Sequence, residues 1–378
     1  MTFEPLTKER KNYLESRFDG IYDFVEQIGV GSFSNVYRAY LRGIGDDDEN
    51  NNDSTTLAIK LLKPSSHPTR VSTEIEILEL ANGHETISEL LMYHQEPDGL
   101  CAIVMTYFDN VPYDWYYSKL NLCQIKWYMT SLLRGLEFLQ ELKVVHRDVK
   151  PANFLFNPRT GEGRLIDFGL SELNRKHDSK DGGDSRQCRC INMTRVCSVC
   201  LSKPKQQVDR GGTAGFRAPE ILMKYPKYDG QIDVFAAGIC MLSILTRRYP
   251  YFPKSDDFDA LSLMIHVLGV NQMKEAATAM GKVFCSSLKE PAVVDFNDLV
   301  QEQRLNSFID ARVAEEDELG TDEGIYSDTS YGRSPVVEDD TNSLEWVAAV
   351  HMLEGLLAPN PHKRLRPAEA LQHDFITS

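Results

Sequence analysis

Lys60, Asp148, Asn153 and Asp167 are the residues of this chain whose types and spacing could do chemistry together. Three carry oxygen ligands and one a fixed positive charge. That set suits phosphoryl transfer: a base for an acceptor hydroxyl, hard oxygen ligands for Mg2+, and a cation facing phosphate oxygens. Each residue lies in a short string. Lys60 ends Leu57-Ala58-Ile59-Lys60, and Asp148 and Asn153 belong to His146-Arg147-Asp148-Val149-Lys150-Pro151-Ala152-Asn153. Asp167 opens Asp167-Phe168-Gly169, with Gly29-Val30-Gly31 upstream and Ala218-Pro219-Glu220 downstream. Any one string could arise by accident, and it is their joint order that carries meaning.

Gly29 and Gly31 would let the backbone approach a triphosphate without a Cβ clash, with N–H groups facing its oxygens. A glycine turn alone is equally ordinary hairpin chemistry. Here Val36 and Lys60 follow at strand spacing, which ties the turn to ATP. Lys60 is a charge in an otherwise apolar strand, so it needs negative partners: the ATP phosphates and a helix glutamate. Glu74 is the expected glutamate, because Ile75 and Leu78 set a face beside it while Glu76 points elsewhere. Asp148 is the expected base, Asn153 and Asp167 the Mg2+ ligands, and Lys150 a second charge on the phosphate. Met105, at the end of an apolar strand, and Phe108, in the Thr106-Tyr107-Phe108 hinge, are expected to border the nucleotide. Glu220 is read as a structural partner of Arg364. Asp233 is read as capping its own helix while holding the catalytic loop from below.

A second signal lies between Asp167 and Glu220. Cys188, Cys190, Cys197 and Cys200 follow one another as C-x-C-x6-C-x2-C in a polar stretch. Disulfides are disfavoured inside cells, and the stretch has too few apolar residues to fold by burial, so a tetrahedral zinc knuckle is expected, with free or redox cysteines as the alternative. Cys101, Cys123, Cys240 and Cys285 are scattered and read as core or incidental positions.

The elements that must position these residues are legible in outline. Period-two stretches Tyr22 to Ile28 and Asn35 to Leu41 flank the glycine turn, and Leu57 to Leu62 follows as a third strand. Val71 to Ala81 predicts a helix and Cys101 to Met105 a strand. Ile125, Tyr128, Met129, Leu132, Leu133, Leu136 and Leu139 recur at helical spacing and predict a buried helix leading into the catalytic loop. Asp233 to Thr246 predicts a central buried helix, and Trp346 to Leu357 and Pro367 to His373 close the chain. The expected fold is α+β and two-lobed: an N-terminal extension over residues 1–20, then a domain over 21–378. Its small β-rich lobe spans about 21–105 and its larger helical lobe about 109–378, with insertions near 43–56, 171–212 and 286–343.

The 378 residues are 42% apolar, enough for a large core. Of the formal charge of −15, −14 falls in two acidic runs, 46–53 and 315–340, so the folded lobes are nearly neutral and the total describes two solvated loops. No apolar run approaches a membrane span, and the charged first eleven residues do not resemble a secretory signal. A soluble intracellular protein is expected, without membrane or direct nucleic-acid partners.

The five strings, in this order, form the protein kinase signature set. Lys150, two residues past Asp148, is associated with serine/threonine rather than tyrosine kinases. More narrowly, the chain resembles the cell division cycle seven kinase family. The resemblance rests on Gly29-x-Gly31-x-Phe33-Ser34-x-Val36-Tyr37, on His146 to Leu155, on Asp167 to Leu170, on Gly212-Thr213 with Gly215-Phe216-Arg217-Ala218-Pro219-Glu220, and on the insertion ending Cys197-Ser198-Val199-Cys200-Leu201. Ser34 replaces the usual third glycine in that family's loop too, whereas Ala214 stands where the family often has proline. The resemblance implies a nuclear serine/threonine kinase using ATP and Mg2+, inactive until an activating regulatory subunit binds. Its substrates would be acidic, serine-rich tails of the minichromosome maintenance helicase. A casein kinase 2-like or cyclin-dependent-like kinase, or a pseudokinase scaffold, is the alternative; the scaffold would predict loss of Lys60, Asp148 or Asp167. Arg217, Lys224 and Lys227 cluster around Glu220 and are expected to favour an acidic or phosphorylated residue after the acceptor, unless Arg217 braces the activation segment instead.

Overall fold

The structure is a computed structural model that describes residues 4–31, 33–42, 56–63, 67–96, 99–173, 211–252, 256–287, 295–318, 341 and 343–378. A six-stranded antiparallel sheet forms the N-lobe. Its strands are β1 (Glu4–Pro5), β2 (Tyr22–Val30), β3 (Ser34–Leu41), β4 (Thr56–Leu62), β5 (Leu90–Gln95) and β6 (Cys101–Thr106), in the order β1-β2-β3-β4-β6-β5. Register is set by alternation: Phe24, Tyr37, Ala39, Leu57, Ile59, Ala102 and Val104 turn to one face and pack together. Helix α1 (Lys8–Arg17) covers that face with Leu14, and Phe18 just beyond it joins the same cluster. The segment read as an N-terminal extension therefore supplies part of the N-lobe core.

Helix α2 (Pro68–Leu80) packs on the other face. It starts three residues before the expected Val71, because Pro68 at its first position has φ preset for a helix and no N–H to satisfy. Its inward residues are Glu74, Ile77 and Leu78, at i, i+3 and i+4.

The C-lobe is built on α4 (Leu122–Glu141), which follows the short α3 (Tyr113–Tyr116) and opens with a capping box between Asn121 and Gln124. Strand β7 (Val144–Val145), a short 3-10 turn (Pro151–Asn153), and strands β8 (Phe154–Phe156), β9 (Gly163–Leu165) and β10 (Glu172–Leu173) carry the catalytic strings. Then come α5 (Pro219–Leu222) and α6 (Gln231–Leu245), every residue of the latter buried. Helix α6 has no side-chain cap. A cap is worth about 1 kcal/mol, whereas each buried Leu, Ile or Phe contributes about 1.5–3 kcal/mol, so burial places this helix.

Helices α7 (Asp257–Leu268), α8 (Val270–Ala279), α9 (Phe296–Glu318), α10 (Leu344–Leu356), α11 (Pro367–Leu371) and α12 (Asp374–Thr377) complete the lobe. Helix α9 falls inside the stretch read as an insertion, yet its first turns belong to the core. Val300 is fully buried, Arg304 Nη1 donates to the Leu245 carbonyl at 2.9 Å, and Trp346 Nε1 donates to Asn297 at 2.8 Å. Among the described residues no helix is long and apolar enough to cross a membrane.

Candidate active site

The glycine turn is a tight β2–β3 connection in which the Gly31 N–H donates to the Ser34 carbonyl at 2.7 Å. Gly29 pairs with Val36, where a Cβ on the glycine would lie 3.3 Å from the valine Cβ. Lys63 Nζ holds the Gly31 carbonyl at 2.8 Å. One strand over, Val36 pairs with Lys60, so the turn and the lysine share one patch of sheet.

Lys60 is buried between two carboxylates. Its Nζ donates to Glu74 Oε1 at 2.5 Å and to Asp167 Oδ1 at 2.8 Å. Glu74 is 3% exposed, and Glu76 lies on the exposed face of the same helix, as the sequence reading chose. Burial alone would lower the Lys60 pKa, but the two carboxylates outweigh it and hold the ammonium charged, above its ordinary value. Burial would likewise raise Asp167, and Lys60 beside it keeps the carboxyl below its ordinary range.

The catalytic loop leaves β7 and is anchored from α6. Asp233 accepts the His146 N–H at 2.7 Å and the Arg147 N–H at 2.8 Å, one on each oxygen. It caps no N–H of its own helix, so the expectation that it caps α6 is corrected: both oxygens are spent on the loop. Those two bonds help hold Arg147 at φ 67°, a left-handed backbone that a non-glycine residue adopts only under constraint. His146 is buried and neutral in its bonding: Nε2–H donates to the Ile166 carbonyl at 3.1 Å and Nδ1 accepts the Asp148 N–H at 3.3 Å.

Asp148, 7% exposed, receives four donors. Lys150 Nζ (2.8 Å) and Asn153 Nδ2 (3.0 Å) reach Oδ2, while the Thr213 N–H (2.8 Å) and Thr213 hydroxyl (2.7 Å) reach Oδ1. Lys150 Nζ also donates to the Thr213 hydroxyl at 2.8 Å, closing a triangle. Asn153 and Asp167 are tied through the short β8–β9 ladder, where the Ile166 N–H donates to the Asn153 carbonyl at 3.0 Å. An amide oxygen and a carboxylate are hard donors of the kind Mg2+ takes, and Lys60 and Lys150 flank them with positive charge. The donor set therefore fits Mg2+ and a polyphosphate.

Met105 is the last residue but one of β6, buried, with its sulfur accepting the Ser88 hydroxyl at 3.4 Å. Phe108 lies in the hinge under the Arg164 guanidinium, 5.2 Å from the ring centre, and Arg164 also donates to the Thr106 hydroxyl at 3.0 Å. The structure brings Lys60, Glu74 and Asp167 together and gathers Asp148, Lys150 and Asn153 around a further member that sequence reasoning missed, Thr213. The only signal for it was the Gly211-Gly212-Thr213 run. Gly212 has φ 90°, and a Cβ there would fall 2.4 Å from the Arg147 carbonyl, so glycine lets Thr213 reach Asp148.

Arg217 is committed inside the fold: Nη2 donates to the Gly212 carbonyl at 2.9 Å and Nη1 pairs with Asp257 at 3.3 Å. It braces the activation segment, the alternative to reading the residue after the acceptor. Cys188, Cys190, Cys197 and Cys200 lie outside the described residues. Among the described residues no group of three or more His, Cys, Asp or Glu is placed to hold a metal ion.

The family described as "Protein kinase domain" matches residues 22–376. The chain is 30% identical to the cell cycle serine/threonine-protein kinase hsk1 of Schizosaccharomyces pombe, over 94% of this chain and 72% of that protein. This chain belongs to the protein kinase family, in its cell division cycle 7 branch. Two further similar kinases of that kind are the cell cycle protein kinase spo4 of Schizosaccharomyces pombe, 26% identical over 94% of this chain and 85% of its own length, and the cell division cycle 7-related protein kinase of Homo sapiens, 24% identical over 95% and 90%. A protein kinase of this branch is a serine/threonine kinase using ATP and Mg2+.

Proposed function

We propose that this kinase promotes the start of DNA replication in the nucleus by phosphorylating serines and threonines in acidic tails of the minichromosome maintenance helicase, together with an activating regulatory subunit. Residues 21–378 would form its catalytic domain, with Leu14 of α1 and Phe18 of the preceding segment completing the N-lobe core. Asp148 orients the acceptor hydroxyl and takes its proton. Lys150 meets the charge that develops on the transferred group, and Thr213 keeps both in place. Lys60, fixed by Glu74, holds the phosphate oxygens, Gly29 and Gly31 let the backbone close over them without a Cβ clash, and Val36, Met105 and Phe108 border the base. Asn153 and Asp167 hold Mg2+. ATP supplies the phosphoryl group, and Mg2+ the charge that offsets its oxygens.

The observation that carries the reading is the Asp148 carboxylate held between Lys150, Asn153 and Thr213, beside the Lys60–Glu74–Asp167 cluster. Asp148→Asn should lower phosphate transfer by roughly 10²–10⁴-fold without unfolding the protein, and Lys60→Met should act through ATP positioning. Assays on helicase tails and on neutral peptides test class and substrate together. Normal turnover by either variant would remove the assigned site, and equal rates on acidic and neutral tails would remove the substrate.

Zinc is proposed at Cys188, Cys190, Cys197 and Cys200, supported by their spacing. Elemental analysis of chelator-free protein should find about one zinc per chain, lost in Cys197→Ser/Cys200→Ser. Zinc that persists in that variant would place the metal elsewhere.

A further inference from the structure

Arg147 precedes the proposed base, and its guanidinium is nearly enclosed, with the side chain 9% exposed. A cation withdrawn from water needs a counter-charge close by. One comes from β10: Glu172 Oε2 lies 3.1 Å from Arg147 Nη1. Strand β10 is paired with β7, Glu172 opposite Val145, so this carboxylate ties the start of the activation segment to the strand that leads into the catalytic loop.

Arg147 meets the other end of the segment as well. A Cβ on Gly211 would fall 2.3 Å from Nη2, and Gly212 packs on the Arg147 carbonyl immediately before Thr213 reaches Asp148. The guanidinium also lies over the Tyr228 ring, 6.0 Å from its centre. Its position therefore fixes both ends of the stretch from Ser171 to Gly212, and through Thr213 the setting of Asp148.

In kinases whose activation segment is ordered by phosphorylation, a new phosphate pairs with arginine. We propose that Glu172 is a built-in counter-ion for Arg147, a positioning residue that sets the activation segment and Asp148 in their catalytic arrangement with no phosphate on the segment. A phosphate brought to the same guanidinium would meet the Glu172 carboxylate and be repelled by it. The inference rests on the kinase reading above.

The test uses the full chain with whatever subunit copurifies, treated with phosphatase and checked by mass spectrometry for loss of phosphate at Ser179, Ser185, Thr194, Ser198 and Ser202. Dephosphorylated wild type should keep its kcat within about twofold. Glu172→Gln should lose about tenfold in kcat with the KM for ATP within about twofold, and Glu172→Asp should recover most of the loss. Amide exchange over 144–149 and 169–173 should quicken in Glu172→Gln and much less in Glu172→Asp. Wild type inactivated by phosphatase, or Glu172→Gln matching wild type in kcat and in exchange, overturns the proposal. If wild type transfers no more phosphate than Asp148→Asn, the kinase reading fails instead, and the exchange comparison still decides the role of Glu172.

Discussion

Asp148 shows how much of a catalytic group's behaviour comes from its neighbours. A bare carboxylate rotates and points where solvent takes it. Here Oδ2 is held by Lys150 and Asn153, five residues or fewer away in sequence, and Oδ1 by Thr213, 65 residues on. The near partners were readable from the string around Asp148. The far one was not, because nothing in a sequence says that an activation segment returns to the carboxylate it left. Thr213 holds Asp148 with both its N–H and its hydroxyl, and the hydroxyl alone also accepts from Lys150. Thr213→Val keeps the size and the N–H while removing the hydroxyl, so it should lower kcat by about tenfold or more and leave the KM for ATP nearly unchanged. Thr213→Ser should stay close to wild type. Steady-state kinetics on the three proteins separates these cases, and a fully active Thr213→Val would mean that the N–H bond alone orients Asp148.

Among the elements, helix α6 is the platform from which the loop is hung, and Asp233 is the attachment. Burial pushes the Asp233 carboxyl up to about 7, against the pull of the His146 and Arg147 N–H groups and the Arg147 charge. The folded value lies above the ordinary one, so this group's contribution to stability is fully present below the ordinary carboxylate range and lost as the pH rises through about 7. Activity should run the other way. The protonated carboxyl gives up one acceptor, one of the two N–H groups loses its partner, and the loop loosens. The kcat should therefore fall as the pH drops below about 7, and Asp233→Asn should remove that limb while lowering the plateau. A pH–rate profile unchanged in Asp233→Asn would assign the limb to another group. The strongly periodic or wholly apolar helices, α4 and α6, were legible because burial alone dictates their pattern. Helix α1 was not, since only Leu14 of its ten residues is buried and the rest reads as polar chain. Strands β7 and β10 are two residues each, too short for any period to show. Helix α9 lies in a stretch whose acidic end masks a core-facing start, Val300 and Arg304, and so was read as an insertion.

Over the whole molecule, one arginine joins parts of the chain that are far apart in sequence. Arg364 forks onto Glu220 of α5 through Nη1 (2.6 Å) and Nη2 (2.9 Å), and the pair is almost fully buried. The same guanidinium donates to the Gln231 carbonyl at the start of α6 and to the Ala358 carbonyl beyond α10, and it stacks 5.0 Å from the Phe235 ring centre. The end of the activation segment, the central helix and the C-terminal helices are thus fastened at one point. Removing one partner of a buried pair leaves an uncompensated charge, a cost of about 3–5 kcal/mol, so Glu220→Met and Arg364→Met should each lower the urea midpoint strongly. Replacing both by Met removes the stranded charge, and a double-mutant cycle should show positive coupling, the double variant losing less than the sum of the two. The recovery should stop short of wild type, because wherever Arg364 is replaced the Ala358 carbonyl loses its guanidinium donor and the Gln231 carbonyl keeps only its bond within α6, and a buried acceptor left unpaired costs about 1–3 kcal/mol. A double variant as stable as wild type would mean that water reaches those carbonyls. Additive losses would mean that the Glu220 charge is not what Arg364 is there to meet.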